Sequence, residues 1–372
     1  MIGLATAVEL RRAGVPDVVV LEGEPAVGRG SSTRANGGVR AQFTTAVNIE
    51  FSLYSIAEFE RMHRAGQLSS WHQTGYLLLT GRAQTEVELR QALALQQEMG
   101  VGSEWIEPAA VTALAPLVDG RGLRGAAWHA RDGFLDPHEL VAALAQSARS
   151  RTVEIRTSAR VTSIARAPHG HLEVGTTDGA VSADWVVNAA GADAGAVAAM
   201  TGLRLPVEPI RRNLAFIQGD GESPNLIPMC VDVDTGVLVR REPSGGYVVA
   251  YSDPNDRPGR ETSVDPRFLE ALAERIGNRF PSLESAPVDP RQCWAGLYPE
   301  TPDHHAVIGE PQEAKGFIIC AGFGGHGIMH SPAAAKAVAE IVVHGSCTTF
   351  DLHPLRPSRF AEGDLVVEKA VL

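Results

Sequence analysis

The chain opens MIGLATAVELRRAGVPDVVVLE, and this stretch, Met1 to Glu22, constrains what the rest can be. After Gly3, the residues Leu4, Ala7, Val8 and Leu10 recur at helical spacing. Arg11 and Arg12 fall in the last turn, where cations suit the helix dipole, and Gly14 supplies a left-handed stop. Asp17 to Glu22 is a β-branched run, read as a buried parallel strand that ends in an acid. A glycine opening a helix, with an acid about 20 residues further on, forms the second half of a dinucleotide-binding βαβ unit. The glycine lets helix and strand pack closely, and the acid takes the ribose hydroxyls. Gly3 and Glu22 fit those two positions. The strand and the two glycines that would precede Gly3 are not in the sequence. The expected explanation is a start upstream of Met1, the alternative a trimmed or degenerate copy, and cofactor affinity of the chain as it stands is expected to be poor. Taken alone, half a fingerprint fits an ordinary surface helix and strand equally well.

Composition narrows the partners. The formal net charge of −11, without a basic tract, argues against nucleic acid. Arginine supplies nearly all the positive charge, and the lysines are Lys315, Lys336 and Lys369, all late in the chain. Cys230, Cys293, Cys320 and Cys347 are far apart with no CxxC pair, so reduced thiols and a cytoplasmic setting are expected. No apolar run is long enough to span a bilayer as a helix, and MIGLATAVEL lacks the basic leader and cleavage site of a secretory signal.

Along the chain, Gly28 to Gly38, GRGSSTRANGG, presents backbone N–H groups and hydroxyls that suit a phosphate or a ring edge. A flexible connector fits the same composition. Helices are predicted over Thr44 to Arg64, with a stripe of Ile49, Leu53, Ile56 and Phe59, and over Ala83 to Met99. Gly75 to Thr80 reads as a strand between them. Asp132 to Pro137, DGFLDP, turns into a helix with Asp136 as N-cap and Pro137 at its first position. Val153 to Ile155, Val161 to Ile164 and Asp184 to Gly191 read as strands. Val207 to Gln218, Gly236 to Arg240 and Gly246 to Tyr251 read as strands of a second, more antiparallel sheet. Asp265 to Phe280 is predicted helical.

The C-terminal region carries WAGLYPETPDHHAVIG, a strand at Gly316 to Ala321, and the glycine loop GFGGHGIMHSP. That loop opens a helix with Ser331 as the expected N-cap and Gly345 as the stop. With βα units at both ends and a β-rich block between, the expected fold class is α/β. A discontinuous Rossmann-like nucleotide-binding domain, its first strand missing, carries an inserted α+β substrate domain on a mixed or antiparallel sheet. The expected division gives 1–74, 136–206 and 293–372 to the first domain and 75–135 and 207–292 to the second.

Together, IGLATAVELRRAG with VVVLE, GRGSSTRANGGVR, GFLDPHELVAAL, VVNAAGADAG and the two C-terminal motifs resemble the flavin-dependent D-amino-acid oxidase superfamily. The branch most resembled contains sarcosine oxidase, dimethylglycine dehydrogenase and glycine oxidase. The resemblance covers nearly the whole chain and implies FAD. It implies that Gly3 and Glu22 serve the ADP half, and that Val161 meets the adenine through its backbone. It sets Ser31, Ser32, Asn36, Gly37 and Gly38 along the pyrophosphate and flavin, with Ala190 and Gly191 beside the cofactor. The loop Gly322, Gly324, Gly325, His326, Gly327, Ile328 and Met329 would lie against the flavin ring. Glycines there let backbone approach a flat ring, and the following helix N-terminus aims a positive dipole at it. A glycine-rich helix entry without a ligand is the plain alternative.

Amine oxidation needs a clamped substrate, a neutral amine and an α-carbon over the flavin. Arg40 is the expected carboxylate clamp, by resemblance to sarcosine oxidases and because its fork matches a carboxylate. A salt bridge or a cover over the flavin would occupy it equally well. Tyr251 and Tyr298 are expected pocket walls, or packed core aromatics. His326 is a candidate catalytic residue. His326 and His330 share an i, i+4 spacing, but no metal site is expected. Monomeric sarcosine oxidases hold a carboxylate-binding Lys where this chain has Met329. Covalent flavin in parts of the family uses a Cys where Gly296 stands, or a His near GRGSS where none is found, so FAD is expected to be non-covalent. No lysine falls in the middle domain, so slow reaction with oxygen and preference for a carrier protein or dye are expected.

The expected function is FAD-dependent oxidation of the C–N bond of a small amino acid or N-methylated amine, such as sarcosine, dimethylglycine, glycine or a proline-like amine, to an imine. The alternatives are a flavoprotein subunit of a hetero-oligomeric amine dehydrogenase or oxidase, acting with partner subunits, or a non-catalytic assembly homologue.

Overall fold

The computed structural model describes residues 1–219, 225–253 and 255–370. The first helix runs Ile2–Arg12 with Leu4, Ala5, Ala7, Val8 and Leu10 buried, as the spacing predicts. Gly14 sits at φ +90° just beyond it, and Val15 N–H returns to Leu10 O at 3.0 Å to close the end. Strand Val19–Leu21 follows and pairs in parallel with Glu154–Arg156. Strand Val186–Asn188 pairs in parallel with Phe317–Ala321, which pairs antiparallel with Val307–Gly309. Among the described residues no strand joins these two small sheets. Parallel pairing is therefore present in two separate pieces, the second with an antiparallel strand at its edge. The strand predicted from Val161 runs Val161–Arg166 and forms an antiparallel set with Leu172–Thr176 and Gly179–Ala183, the two strands that the sequence reading missed.

The second sheet is larger than predicted. Its eight strands run in the order Val288–Glu300, Glu208–Ile217, Tyr247–Tyr251, Val237–Arg241, Met229–Asp232, Tyr76–Thr80, Gly125–His129 and Glu104–Ile106. All neighbours are antiparallel except Met229–Asp232 against Tyr76–Thr80, where the chain returns after a long excursion. The strand Val288–Glu300 is continuous, so the boundary expected at 293 falls inside it. One face of this sheet packs on helix Phe268–Ile276, burying Leu77, Ala215, Val239, Val249, Phe268 and Leu272 in a common core. The other face carries Tyr76, Leu78, Met229, Val231 and Leu238 toward the nucleotide-binding side.

Helix Ala46–Arg64 buries Ile49, Phe51, Ile56 and Phe59 against the first helix and the C-terminal loop. Helix Pro137–Ser150 starts where predicted, with the Asp136 carboxylate accepting from His138 N–H at 2.8 Å. The last long helix, Ser331–His344, ends at Gly345 with φ +81°. Ser331 is its first residue rather than its cap. The preceding turn already winds, with His330 N–H on His326 O at 3.0 Å, so the Ser331 hydroxyl turns back to Ile328 O at 2.9 Å.

Candidate functional site

The two distant glycine-bearing turns meet. The first helix packs along Ser331–His344, and Leu4 and Ala5 share a core with Ile328, Met329 and Ala335. The Met1 amino nitrogen lies 3.4 Å from Ser32 Oγ, which brings the serine-rich loop to the same helix start. A Cβ built on Gly3 would meet only Ala189, at 3.6 Å, so the turn holding Ala190 and Gly191 closes the third side. Glu22 follows the parallel strand, its amide on Arg156 O and its carbonyl taking Ala159 N–H at 2.9 Å. Val161 begins the next strand and packs near Leu21, beside the same edge. Gly3, Glu22, Val161, Ala190 and Gly191 thus frame one edge of the two parallel pieces.

The loop Ser31 to Gly38 crosses to the large sheet. Asn36 Oδ1 accepts Gly38 N–H at 2.8 Å and shapes the turn. Gly37 has φ +79°, and a side chain there would collide with the Leu135 carbonyl. Gly38 lies against Met229, whose Cε is 2.8 Å from the position of a Cβ. On the C-terminal loop, Cβ atoms at Gly324 and Gly325 would strike the Glu300 carboxylate and the Tyr298 ring, at 2.8 and 2.6 Å. Gly322, at φ +75°, has Thr301 at 2.7 Å. Gly327 meets only Phe323, at 3.5 Å. Much of the glycine content is therefore needed for chain-to-chain approach.

Between the loop and the sheet lies a pocket lined by Ser31, Arg34, Asn36, Arg212, Gly296 and Tyr298, among others. Ser31, Asn36 and Tyr298 were singled out in the sequence, and they come together here. Tyr298 is held at the pocket edge, and burial with nearby Glu300 raises its phenol pKa even against Arg212 and Arg40. Tyr251 borders the same pocket along the chain, but its ring packs in the core of the opposite face under Arg275, at 4.5 Å. Strand parity accounts for the ring position: Tyr251 stands opposite Asn213, in line with Ala215 and Ile217.

Arg40 is buried, and its donors are committed. Nη1 donates to Gln42 O, Nη2 to Ala370 O, and the guanidinium lies 4.1 Å above the Phe43 ring centroid. Both terminal nitrogens are thus held by backbone carbonyls. Gln42 is fixed in turn by Tyr76 O at 3.0 Å and by Asp132 at 3.1 Å, whose other oxygen takes Ala41 N–H at 2.8 Å.

His326 and His330 are buried with ring centroids 5.7 Å apart, packed on Phe43. Burial, together with Arg40 and neighbouring histidines, pushes both well below the usual imidazole value, so both are neutral. His330 Nε2 meets Ser52 Oγ at 3.1 Å. Among the described residues no group of His, Cys, Asp or Glu could hold a metal. Ile328 and Met329 send their side chains into the core with Leu4 and Val39. His305 is buried against Thr45 at 2.9 Å, while His304 pairs with Glu300 at 3.1 Å and is held above its usual value.

Sequence reading missed three participants. Arg34 ties the loop to the sheet through Ala295 O at 2.9 Å, and Trp294 Nε1 returns to Arg34 O at 2.9 Å. Arg212 enters the pocket from Glu208–Ile217. Arg240, also buried, stands over Phe134 at 4.8 Å and pairs with Glu242.

A family model described as "DAO: FAD dependent oxidoreductase" matches residues 1–341. "FAD-dependent oxidoreductase domain-containing protein 1" of Xenopus laevis is 28% identical over 97% of this chain and 80% of its own length. Mitochondrial dimethylglycine dehydrogenase of Rattus norvegicus is also 28% identical over 97% of this chain, which spans 44% of that protein. The crystal structure of L-proline dehydrogenase from P. horikoshii superposes with a TM-score of 0.92 and 27% identity, covering 98% of this chain and 96% of that one. No helix among the described residues is long and apolar enough to cross a membrane.

Proposed function

The chain belongs to the DAO family of FAD-dependent oxidoreductases, and from that premise we propose that it oxidises the C–N bond of a small amino acid or N-methylated amine to an imine. The observation that carries this reading is the meeting of the Gly3 helix start, the Ser31–Gly38 loop and the Gly322–Gly327 loop beneath one face of the large sheet. The relatives named dimethylglycine dehydrogenase and L-proline dehydrogenase support a substrate whose nitrogen is secondary or tertiary and whose carbon skeleton is short.

The residues present fit FAD. The first helix carries no side-chain cap and no acid in its first turn, so its N–H groups are free for a pyrophosphate. The Cβ direction at Gly3 meets only another small side chain, and at Gly191 nothing within 4 Å, so backbone there can be approached closely. Glu22 stands at the strand end, where it would meet a ribose. Helix Ser331–His344 also lacks a side-chain cap and directs its N-terminus toward the glycine loop. Cys230 and Cys320 are buried in sheet cores, Cys293 and Cys347 are half-buried, and a glycine, Gly296, borders the pocket, in keeping with non-covalent FAD.

FAD, when bound, supplies the two-electron acceptor for the substrate C–H bond. The chain's own residues bind and orient. Tyr298 and the pocket around it exclude water from the substrate carbon. The substrate amine gives up its proton before oxidation, and its nitrogen lone pair completes the imine, which water then hydrolyses to a carbonyl and a free amine. Neutral His326 and His330 add no charge that would repel an approaching cation. Arg40 fixes the loop Arg40 to Phe43 rather than contacting substrate.

The test is anaerobic mixing of the flavin-loaded protein with sarcosine, dimethylglycine, glycine and proline while following flavin absorbance. Bleaching by one of them is the expected result. A flavin that stays yellow with every amine sinks the reading and favours a non-catalytic homologue.

A further inference from the structure

The substrate nitrogen must lose a proton before it is oxidised, and the group that takes the proton must be a base. Tyr298 is a phenol held in its neutral form, and His326 and His330 are imidazoles whose burial makes them weak bases. A carboxylate and an imidazole at the pocket edge are better suited. The strand Val288–Glu300 alternates, so Gly296, Tyr298 and Glu300 share one face. Gly296 and Tyr298 line the pocket. The Glu300 carboxylate lies against the glycine loop, with Oε1 2.8 Å from where a Cβ on Gly324 would stand. The Glu300 side chain is 13% exposed, and its hydrogen-bond partner among the described residues is His304 Nδ1, at 3.1 Å.

His304 connects this carboxylate to water. Its side chain is 38% exposed, and its Nε2 has no partner among the described residues. Its backbone is left-handed, at φ +58°, a region that few residues other than glycine occupy. The turn is held there from several sides. His304 N–H returns to Thr301 O at 3.1 Å, and the Thr301 hydroxyl donates to His305 O at 2.7 Å. Arg359 holds both Asp303 oxygens, at 2.7 and 3.0 Å, so Asp303 does not compete for the imidazole. The hydrogen bond to Glu300 does most to raise the His304 pKa, and Asp303 adds to it, while burial and Arg212 oppose. His326 is also within electrostatic reach. The imidazole is thus a stronger base than usual, joined to a carboxylate on one side and open to solvent on the other.

We propose that Glu300 and His304 form the exit path for the proton that the substrate amine gives up. The ammonium N–H bond breaks with its electron pair left on nitrogen, and the proton passes to a Glu300 oxygen. His304, neutral and carrying its own proton on Nε2, accepts that proton at Nδ1 and releases the Nε2 proton to water. Exchange with water at the exposed ring restores the starting tautomer, so neither group changes charge over the cycle. The inference rests on the proposed function and names the route that reading leaves open.

The first arm follows anaerobic flavin reduction by saturating amine across pH, using the flavin-loaded protein. Wild type should slow as pH falls through the raised His304 pKa, because a protonated imidazole accepts nothing. His304→Asn, which tolerates left-handed backbone, should be about 10- to 100-fold slower and lose that limb. A limb set by the amine's own ionisation would persist in the variant. Imidazole added to the solution should recover part of the rate in His304→Asn and none in Glu300→Gln. Should His304→Asn lose flavin, His304→Gly fits the same backbone and is expected to behave alike. Wild-type rate and pH dependence in the variant, or no recovery by imidazole, overturns the path.

The second arm needs no oxidation. The probe is 2-aminoisobutyrate, whose α-carbon bears no hydrogen and so cannot become an imine by C–H loss. Binding is read as a shift of flavin absorbance, and proton release with a pH indicator. Wild type should release a proton on binding, and His304→Asn should show the same shift with release roughly 10-fold slower. Equal release rates, or no release by wild type, overturn the path. A wild type bleached by no amine, yet releasing the proton through His304, overturns the proposed reaction and leaves the path standing.

Discussion

The Glu368 carboxylate accepts the Thr45 hydroxyl at 2.6 Å across 323 residues of sequence. The same carboxylate takes Thr44 N–H at 2.9 Å, Asn48 Nδ2 at 3.0 Å and Ala370 N–H at 2.9 Å, and it is fully buried. It therefore ties the start of helix Ala46–Arg64, through Thr44, Thr45 and the Asn48 side chain, to the far end of the chain. The segment it anchors then delivers Ala370 O to Arg40.

Replacing Glu368 with Ala strands several buried donors. The expected cost is about 3 kcal/mol of unfolding free energy, seen as a lower denaturation midpoint. Burial pushes the carboxyl pKa up, but the Thr44, Thr45 and backbone hydrogen bonds outweigh it and hold the pKa below its usual value. The sign follows: this stability is present above the unfolded carboxylate pKa and is lost as pH falls through the lower folded one. Glu368→Gln should flatten that acid limb. An unchanged limb in the variant would show that the carboxylate carries no such load.

The buried histidine pair sets a second, milder pH window. His326 and His330 face Phe43, Arg40, His304, His305, Ser52 and Glu368, and burial is the main reason both stay neutral. Unfolded imidazoles bind protons near pH 6.5, and these do so only far lower. Stability should be constant above that value and should fall below it by about 1.4 kcal/mol per pH unit for each histidine. His330→Gln should remove one proton's worth of slope between roughly pH 5 and 6.5. Denaturant midpoints measured across that range check it, and parallel slopes for variant and wild type would contradict it.

How much of this was readable beforehand differs from element to element. The first helix, with Leu4, Ala7, Val8 and Leu10 buried, and the Asp136 cap follow from local rules, since spacing and capping act within a few residues. The convergence of Ser31, Asn36 and Tyr298 followed from motif resemblance. Strand parity did not. In Val207 to Gln218 both faces are apolar, because the large sheet is covered on both sides, so alternation could not say which of Arg211 and Arg212 looks at the pocket. The same ambiguity left Tyr251 open between a pocket wall and a core aromatic, and it borders the pocket while its ring packs in the core. Likewise, Arg40 looked free because its acceptors, Gln42 O and Ala370 O, are backbone atoms, one of them 330 residues away.

The lysines are accounted for elsewhere, which bears on the electron acceptor. Lys315 pairs with Glu310 at 3.4 Å and Lys336 with Glu340 at 3.2 Å, while Lys369 follows Glu368 on the anchored segment. None lines the pocket beside Tyr298. With no ammonium there to stabilise superoxide, the reduced protein should react slowly with oxygen and quickly with a dye or carrier. Oxygen uptake and dye reduction on one substrate give the ratio directly. Peroxide formed as fast as dye is reduced would rule this out.

Gly3 separates folding from cofactor binding. It lies inside the helix Ile2–Arg12, where alanine is favoured over glycine by about 0.5–1 kcal/mol. The added methyl would meet only the Ala189 Cβ, at 3.6 Å, an ordinary contact. Gly3→Ala should therefore leave the flavin-free protein as stable as wild type, or slightly more so. If backbone at this helix start must be approached closely by a pyrophosphate, the same methyl should lower flavin retention severalfold. The measurement pairs a melting curve of the flavin-free protein with flavin absorbance after dialysis. Full flavin retention in a stable Gly3→Ala variant would move the dinucleotide away from this turn, and a loss of both stability and flavin would mean that Gly3 serves packing alone.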